Sequence, residues 1–398
     1  MKGMIASLSL ALALLPTVRH AQSSSLAAEL VGSTSMPDDE QGVSVSISLD
    51  TAVVGAPHPF STVNQPAAAY VYRREPGIRG AWIEVAKLLP SDSAPNDFFG
   101  QSVSIDGDRI AVGQPNRNHV HLFERNLGGP DAWGEAAETA GGGFVLTFGW
   151  SVALQGDRLA IGAPGTGDAF AYERDAEGNW NQSAAFSVVT TLNQFGWAVD
   201  LDGDRLVVGN PQEDGFSSGG PGEAYVYRRV AFGSWVLSKK LTAAGSDGLG
   251  QAVDISGDLV AAGAQGGVYV FDRSAGGANA WGLVAALGGV VGSFGQSVSL
   301  AGERLLVGGG SVGGSRTLFL FGRHVGGENA FGEILRIAAP TNDPFAFFGY
   351  SVALDGTRFL IGAPFEDAPG SDSGAGFVYE PSKIGQPPHG PGSAPRRP

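Results

Sequence analysis

Two groups of residues in this sequence have types and spacings that could bind a metal ion. Asp200, Asp202 and Asp204 alternate in the segment VDLDGDR, and a strand would place their carboxylates on one face. Ca²⁺ takes six to eight oxygens, so solvated carboxylates are the favoured interpretation of this short hairpin and a cation site is the alternative. His119 and His121 alternate in HVH, but no third ligand is close in sequence, and His121 replaces an aromatic residue of the repeat described below.

A further motif could indicate a nucleophile. Ser217 lies in GFSSG, which matches the G-x-S-x-G pattern of serine hydrolases. That chemistry requires a sharp turn from a strand into a helix, and no helical periodicity follows Ser217. A glycine-serine loop is therefore the favoured interpretation. Asn181 begins an NQS glycosylation sequon, which matters only if the host glycosylates exported proteins.

A motif that recurs seven times must position all of these residues. Each copy has Phe-Gly or a near equivalent, a short alternating apolar segment, a Gly-Asp-Arg-like turn, a second apolar segment and Val/Ile-Gly-x-Pro. The clearest copies are FGQSVSIDGDRIAVGQP (residues 99–115), FGWSVALQGDRLAIGAP (148–164), FGWAVDLDGDRLVVGNP (195–211) and FGYSVALDGTRFLIGAP (348–364). Degenerate copies begin at residues 41, 249 and 294. A repeat of strands with a period of about 50 residues indicates a propeller or an array.

When the copies are aligned, two further segments recur, and they complete a unit of four strands. An aromatic alternating segment, such as AYVYRR (69–74), follows the Gly-x-Pro loop, and a Trp or Phe then opens a fourth apolar segment. The period-2 alternation indicates strands, and Asp-Gly or Gly-Asp pairs indicate hairpins. The sequence therefore predicts an all-β fold, a seven-bladed β-propeller of four-stranded antiparallel blades. The last copy lacks its fourth strand, so we expect residues 26–31 to pair with residues 376–380 and close the ring.

The ends and the composition define the rest of the organisation. Residues 1–23 resemble a cleaved secretory signal peptide, residues 24–384 form the propeller, and the Pro/Gly-rich residues 385–398 form a disordered tail. The apolar part of the signal is too short to span a membrane, so we expect a monomeric protein, secreted to an extracellular or periplasmic location without membrane insertion. The net charge of −14 argues against nucleic acid as a partner.

Phe-Gly followed by Val-Gly-Ala-Pro resembles the FG-GAP repeat, the unit of the integrin α-subunit propeller and of many secreted bacterial proteins. The resemblance covers about residues 24–384. In the Ca²⁺-binding members of this family, the hairpin between the first and second strands is expanded into a DxDxDGxxxD loop. The hairpins of this chain are too short for such a loop. We therefore expect no cofactor and little dependence on Ca²⁺.

The connections that vary between copies predict where a partner would bind. In an antiparallel blade, the connections between strands 2 and 3 and from strand 4 to the next blade emerge at one end. The 2-3 loops are long and variable, unlike the 1-2 hairpins, and integrin-like propellers use this face for partners. The candidate ligand-binding residues in these loops are Phe60, Glu213, Asp214, Phe216, Phe365, Glu366 and Asp367.

These observations predict a secreted, non-enzymatic binding or adhesion protein whose partner is an extracellular protein or a glycan. Two alternatives stay open. One is a propeller lyase or hydrolase acting on polysaccharide, which would need titratable residues to converge at one end of the channel. The other is a structural component of a cell-envelope assembly. The six histidines form no recurring catalytic cluster, so no catalytic residue is predicted.

Overall fold

The computed structural model describes residues 24–381 except 59–65, 79, 144, 189–193, 212–219, 289–290, 313–314, 326, 342, 344 and 368–369. The predicted signal peptide and tail lie outside these residues. Within them, the regular secondary structure is entirely β, and no helix is present that could cross a membrane. The strands form seven antiparallel sheets, each of which is one blade. The predicted all-β, seven-bladed propeller is thus confirmed.

The blades follow one another along the chain. The first strand, β1 (Ser24–Leu30), belongs to the last blade. Blade 1 contains β2 (Ser44–Ser48), β3 (Thr51–Ala56), β4 (Ala68–Arg74) and β5 (Trp82–Leu88); blade 2 contains β6 (Ser102–Asp106), β7 (Arg109–Gln114), β8 (His119–Arg125) and β9 (Trp133–Ala140). Blade 3 contains β10 (Ser151–Gln155), β11 (Arg158–Ala163), β12 (Asp168–Arg174) and β13 (Trp180–Ser187); blade 4 contains β14 (Val199–Asp202), β15 (Arg205–Asn210), β16 (Glu223–Ala231) and β17 (Ser234–Leu241).

The remaining blades continue the pattern. Blade 5 contains β18 (Ala252–Ser256), β19 (Leu259–Ala264), β20 (Gly267–Asp272) and β21 (Gly282–Gly288). Blade 6 contains β22 (Val291–Gly292), β23 (Val298–Ala301), β24 (Arg304–Val312), β25 (Ser315–Arg323) and β26 (Phe331–Ala338); blade 7 contains β27 (Ser351–Asp355), β28 (Arg358–Ala363) and β29 (Ala375–Pro381). Blade 6 differs from the others because the short β22 pairs with the extended end of β24. In each blade one strand contacts the equivalent strand of the next blade, and these contacts continue around the whole ring. The strands that line the central channel are therefore β2, β6, β10, β14, β18, β23 and β27.

The Phe-Gly and Gly-x-Pro positions set the spacing between blades. The N–H of Gly149 donates to the carbonyl of Gly162 in the same blade (3.1 Å). A Cβ atom on Gly162 would lie 1.9 Å from the carbonyl oxygen of Gly196 in the next blade, so only glycine permits this approach. Phe148 is fully buried and packs among apolar residues of blades 2 and 3. These positions are therefore structural, as their recurrence predicts.

The first strand closes the ring. β1 pairs antiparallel with β29, from Ser24 opposite Pro381 to Leu30 opposite Gly376, and Leu30 is buried against blade 1. The pairing begins two residues earlier than the sequence predicts and ends one residue earlier. Glu380 of the closing blade also accepts a 2.8 Å hydrogen bond from Arg74 of blade 1. The last blade thus obtains its fourth strand from the other end of the propeller, and the predicted closure is confirmed.

Candidate functional site

One mouth of the central channel forms a cavity of about 540 Å³. Its described lining residues belong to the connections between strands 2 and 3 of a blade (2-3) and from strand 4 to strand 1 of the next blade (4-1). The cavity therefore opens on the face that the sequence predicts for binding. Six of the lining side chains occupy the same repeat position, directly after the repeat glycine: Gln101, Trp150, Trp197, Gln251, Gln296 and Tyr350. That glycine has a left-handed φ, 92° at Gly100 and 90° at Gly149. Its N–H donates to the carbonyl of the Gly-x-Pro glycine in the same blade. The turn is therefore the same in these blades, and the following residue takes an equivalent place in each.

The side chains at this mouth are aromatic or neutral amides. The rings of Trp150 and Trp197 lie side by side, with centroids 5.1 Å apart, and both are partly exposed. The side-chain amides of Gln101, Gln251 and Gln296 make no hydrogen bond to another described residue, so their donors and acceptors are available to a ligand. This ring of residues, which we call the channel-mouth ring, combines apolar surfaces with neutral hydrogen-bonding groups.

The channel-mouth ring was not predicted from the sequence. The signal was present, because the residue after each repeat glycine is Gln, Trp or Tyr in six copies, where a purely architectural column would be apolar or small. Tyr350 completes this set, and burial raises the pKa of its phenol, which therefore stays a hydrogen-bond donor. The mouth can bind a polar, uncharged ligand that has flat apolar faces.

The predicted loop residues fall into two sets. Phe60, Glu213, Asp214 and Phe216 lie outside the described residues and stay predictions. Ser217, for which the sequence favours a glycine-serine loop over a nucleophile, also lies outside them. The other set lies in the loop after β28. Phe365 packs edge-on against Phe347, a lining residue of the mouth, with centroids 5.3 Å apart.

The two acidic residues of the second set have hydrogen-bond partners within the protein. Glu366 is buried and accepts a hydrogen bond from the hydroxyl of Thr341 (2.9 Å), and burial raises its pKa. Asp367 is exposed and accepts the N–H of Asp372 (3.0 Å). Of the three described residues of this set, Phe365 thus contacts the lining of the channel mouth, while Glu366 contributes to the structure of its own loop.

The three aspartates of VDLDGDR are engaged in contacts between blades. Asp200 is partly buried and accepts the N–H of Ile255 in blade 5 (2.8 Å). Asp202 accepts the N–H of Gly257 and the side-chain amide of Gln155 in blade 3. Asp204 lies on the exposed hairpin, 3.2 Å from the guanidinium of Arg158. Each of these carboxylates thus has a hydrogen-bond or ion-pair partner in a neighbouring blade.

His121 takes the aromatic place that the repeat predicts. It lies opposite Val112, as Tyr70 lies opposite Val54 in blade 1, and its ring packs edge-on against Phe99 with centroids 5.5 Å apart. The fold also brings carboxylates to this histidine and to His119, which the sequence did not indicate. That cluster is described below.

Comparisons with known proteins agree with the architecture. The FG-GAP repeat family model matches residues 82–124, 187–227 and 331–379. No curated protein matches the sequence. Among solved structures, a streptogramin B lyase is 8% identical with a TM-score of 0.58, over 88% of this chain and 96% of that chain. A catalytically inactive virginiamycin B lyase from Staphylococcus aureus, with quinupristin, is 9% identical with a TM-score of 0.57, over 90% and 99%.

A third similar structure is Sqt1 from Chaetomium thermophilum, 13% identical with a TM-score of 0.56, over 90% of this chain and all of that chain (100%). Identities this low show a shared fold and nothing about activity. The family assignment depends instead on the repeats, which match the family in three places and recur in seven blades. The chain is an FG-GAP repeat protein that folds as a seven-bladed β-propeller.

Proposed function

We propose that this protein is an extracellular, non-enzymatic binding propeller whose ligand is a neutral glycan held in the channel mouth. The observation that carries the proposal is the pair of partly exposed indoles, Trp150 and Trp197, surrounded by glutamine amides. The C–H face of a sugar ring is apolar and stacks on an aromatic ring, while its hydroxyl groups need donors and acceptors around the edge. The side-chain amides supply both kinds of group at once.

The cavity has a suitable size and polarity for a short segment of glycan. Its volume, about 540 Å³, lies within the range of small-molecule sites. The described lining contains neither a carboxylate nor an amine nor an imidazole, so a charged ligand would find no opposite charge there. The signal-like residues 1–23 support an extracellular location, where glycans are abundant.

The same lining argues against the polysaccharide lyase or hydrolase alternative. Such enzymes need a general acid and a general base that converge on the reacting bond. The described residues of the mouth offer only the phenol of Tyr350, whose pKa is raised by burial. The two similar lyase structures are named as a streptogramin B lyase and a virginiamycin B lyase, and their likeness to this chain supports a shared fold only.

A glycan array followed by titration tests the proposal. We expect binding to uncharged polysaccharides, and quenching or shifting of tryptophan fluorescence when the best ligand is titrated. Trp150→Ala and Trp197→Ala should each weaken binding by about tenfold or more, a loss of about 1.4 kcal/mol. Phe232→Ala is the matched control, because Phe232 is an exposed aromatic in the turn after β16, at the opposite end of the blades.

Each contrary result identifies an alternative. Unchanged affinity in both tryptophan variants would reject the channel mouth as the site. Loss of binding only in the combined Glu213→Ala, Asp214→Ala and Phe216→Ala variant would assign binding to the outer loop instead. Release of shortened or unsaturated sugar products would replace binding by catalysis, and a protein ligand with no glycan ligand would overturn the ligand class.

A further inference from the structure

Blade 2 contains a cluster of imidazole and carboxylate groups that the channel-mouth ring does not use. His119 and His121 lie on β8, Glu138 lies on β9, and Asp92 lies in the connection from β5 to β6. Nδ1 of His119 is 3.3 Å from Oδ2 of Asp92 and 3.1 Å from Oε1 of Glu138. Nε2 of His121 is 3.6 Å from Oδ1 of Asp92. Two carboxylates thus lie beside the same nitrogen of His119, and one of them, Asp92, also approaches His121.

Three of the separations between these atoms match those between ligands of a small metal ion. Ligands at bond lengths of about 2.0–2.1 Å are separated by about 3.3–3.5 Å along the edges of a tetrahedron. The three distances above range from 3.1 to 3.6 Å. The candidate ligand atoms of Asp92, His119 and His121 also lie within 4.8 Å of one another. These three side chains are therefore close enough for one ion to contact all of them.

The hydrogen bonds of His121 provide an independent reason for a cation. Its Nδ1 is 2.7 Å from Oε1 of Glu135, and its Nε2 is 3.0 Å from Oε1 of Gln114. The amide of Gln114 is held in this orientation because its nitrogen donates to Asp97 (2.9 Å) and Asp92 (3.3 Å). A neutral imidazole has one N–H and cannot donate to both acceptors, so His121 needs either a second proton or a cation at one of its nitrogens. A cation next to Nε2 would remove the conflict.

His119 shows a similar deficiency. Its Nδ1 atom is buried and makes no hydrogen bond within the described part of the chain, although two carboxylate oxygens lie within 3.3 Å of it. A buried polar atom that makes no hydrogen bond is costly. A metal ion between this nitrogen and the two carboxylates would satisfy all three groups.

We propose that blade 2 binds one zinc-type divalent transition-metal ion through Nδ1 of His119, Nε2 of His121 and carboxylate oxygens of Asp92 and Glu138. Glu135 accepts the remaining N–H of His121 and orients the ring, a common arrangement for a metal-bound imidazole. Because Asp92 belongs to the connection from blade 1, the ion would fasten that connection to blade 2.

The donor set determines which ions fit. Imidazole nitrogens suit zinc and neighbouring transition metals, whereas Ca²⁺ and Mg²⁺ prefer oxygen alone. The site therefore differs in chemistry from the Ca²⁺ loops of the resembled family, and it lies at the other end of the blade from the 1-2 hairpins. It is also specific to blade 2, because the six residues equivalent to His121 in the other blades are aromatic: Tyr70, Phe170, Tyr225, Tyr269, Phe319 and Phe377.

Calorimetric titration of the untagged, metal-free full chain with zinc chloride tests the proposal. We expect one ion per chain and a rise in melting temperature that millimolar Ca²⁺ does not reproduce. Loading with Co²⁺ should give the intense visible absorption of a tetrahedral ion. The absence of stoichiometric zinc binding would reject the site.

Variants at the cluster separate coordination from general stability. His119→Gln and Asp92→Asn remove ligands that are partly exposed, and each should weaken zinc binding by more than about 100-fold, since changes of outer contacts alone cost about 10–100-fold. Glu135→Gln should weaken zinc binding by that smaller factor, about 10–100-fold. His324→Gln is the control, because His324 forms an exposed pair with Glu303 and should bind zinc as the wild type does.

One further variant guards against a failure to fold. His121→Phe places in blade 2 the residue type that other blades have at this position, so packing against Phe99 should persist. We expect a folded propeller, by circular dichroism and cooperative melting, that has lost stoichiometric zinc binding. If either His119→Gln or His121→Phe bound zinc with unchanged affinity and stoichiometry, the proposed ligands would be wrong.

Discussion

The repeat glycines differ in what an added methyl group would meet, which gives a matched pair of substitutions. A Cβ on Gly162 would lie 1.9 Å from the carbonyl oxygen of Gly196, a backbone atom of the next blade. Gly156, in the 1-2 hairpin, has a φ of 56° but nothing within 4 Å of the added Cβ. We expect Gly162→Ala to lower the free energy of unfolding by more than about 3 kcal/mol, and Gly156→Ala by only about 1 kcal/mol. Urea denaturation measures both, and equal losses would show that glycine does not set the blade spacing.

Two facing aspartates should make stability depend on pH in an unusual direction. Burial raises the pKa of Asp200 to about 7, and burial together with repulsion from Asp200 raises the pKa of Asp254. In the unfolded chain a carboxyl group titrates near pH 4, at about 3.9. The folded state therefore holds more protons between about pH 4 and 7. The contribution of this pair to stability is complete below that window and is lost as the pH rises through about 7.

Asp200→Asn tests this sign, because asparagine removes the charge and keeps an acceptor for the N–H of Ile255. Denaturation at a series of pH values should show the variant gaining stability relative to the wild type between about pH 4 and 7. Asp204→Asn, on the exposed hairpin, is the control and should run parallel to the wild type. A constant difference between Asp200→Asn and the wild type across that range would contradict the raised pKa.

At the scale of elements, β1 decides whether blade 7 is complete. Without it, β29 would become an exposed sheet edge, and Leu30 would no longer pack against blade 1. Deletion of residues 1–31 should therefore lower the melting temperature or cause aggregation. Deletion of residues 1–23, which precede β1, is the control and should leave melting unchanged. A soluble chain without residues 1–31 that melted like the control would show that closure contributes little.

The strands and turns could be predicted because the same local sequence pattern recurs in each copy. Alternation and Gly-Asp turns recur in every copy, so the strands, the hairpins and the closure by residues 26–31 followed from the pattern. The channel-mouth ring depends on the convergence of six blades, and a single repeat gives no information about which column faces the channel. The cluster around His121 was hidden for a different reason. Asp92 and Glu138 reach it only through the 4-1 connection and the pairing of β8 with β9.

At the scale of the whole molecule, arginine side chains connect neighbouring blades where a Ca²⁺ loop would otherwise lie. Arg109 donates to the carbonyl of Gly156 (3.0 Å), and Arg158 donates to that of Gly203 (2.7 Å). We therefore expect thermal melts of the metal-free protein in a Ca²⁺ chelator and in millimolar Ca²⁺ to coincide nearly. A large Ca²⁺-dependent rise, abolished by Asp202→Ala, would show that the short hairpins do bind the ion.

The pairing of β1 with β29 also places both ends of the propeller at the same end of blade 7. Ser24 lies opposite Pro381, and both stand at the end of blade 7 formed by the 1-2 and 3-4 connections. The channel mouth opens at the other end. A fusion partner, a surface linker or a sensor chip that is joined at Ser24 or at Pro381 would therefore lie on the face opposite the channel mouth. The mouth would then face away from the attachment.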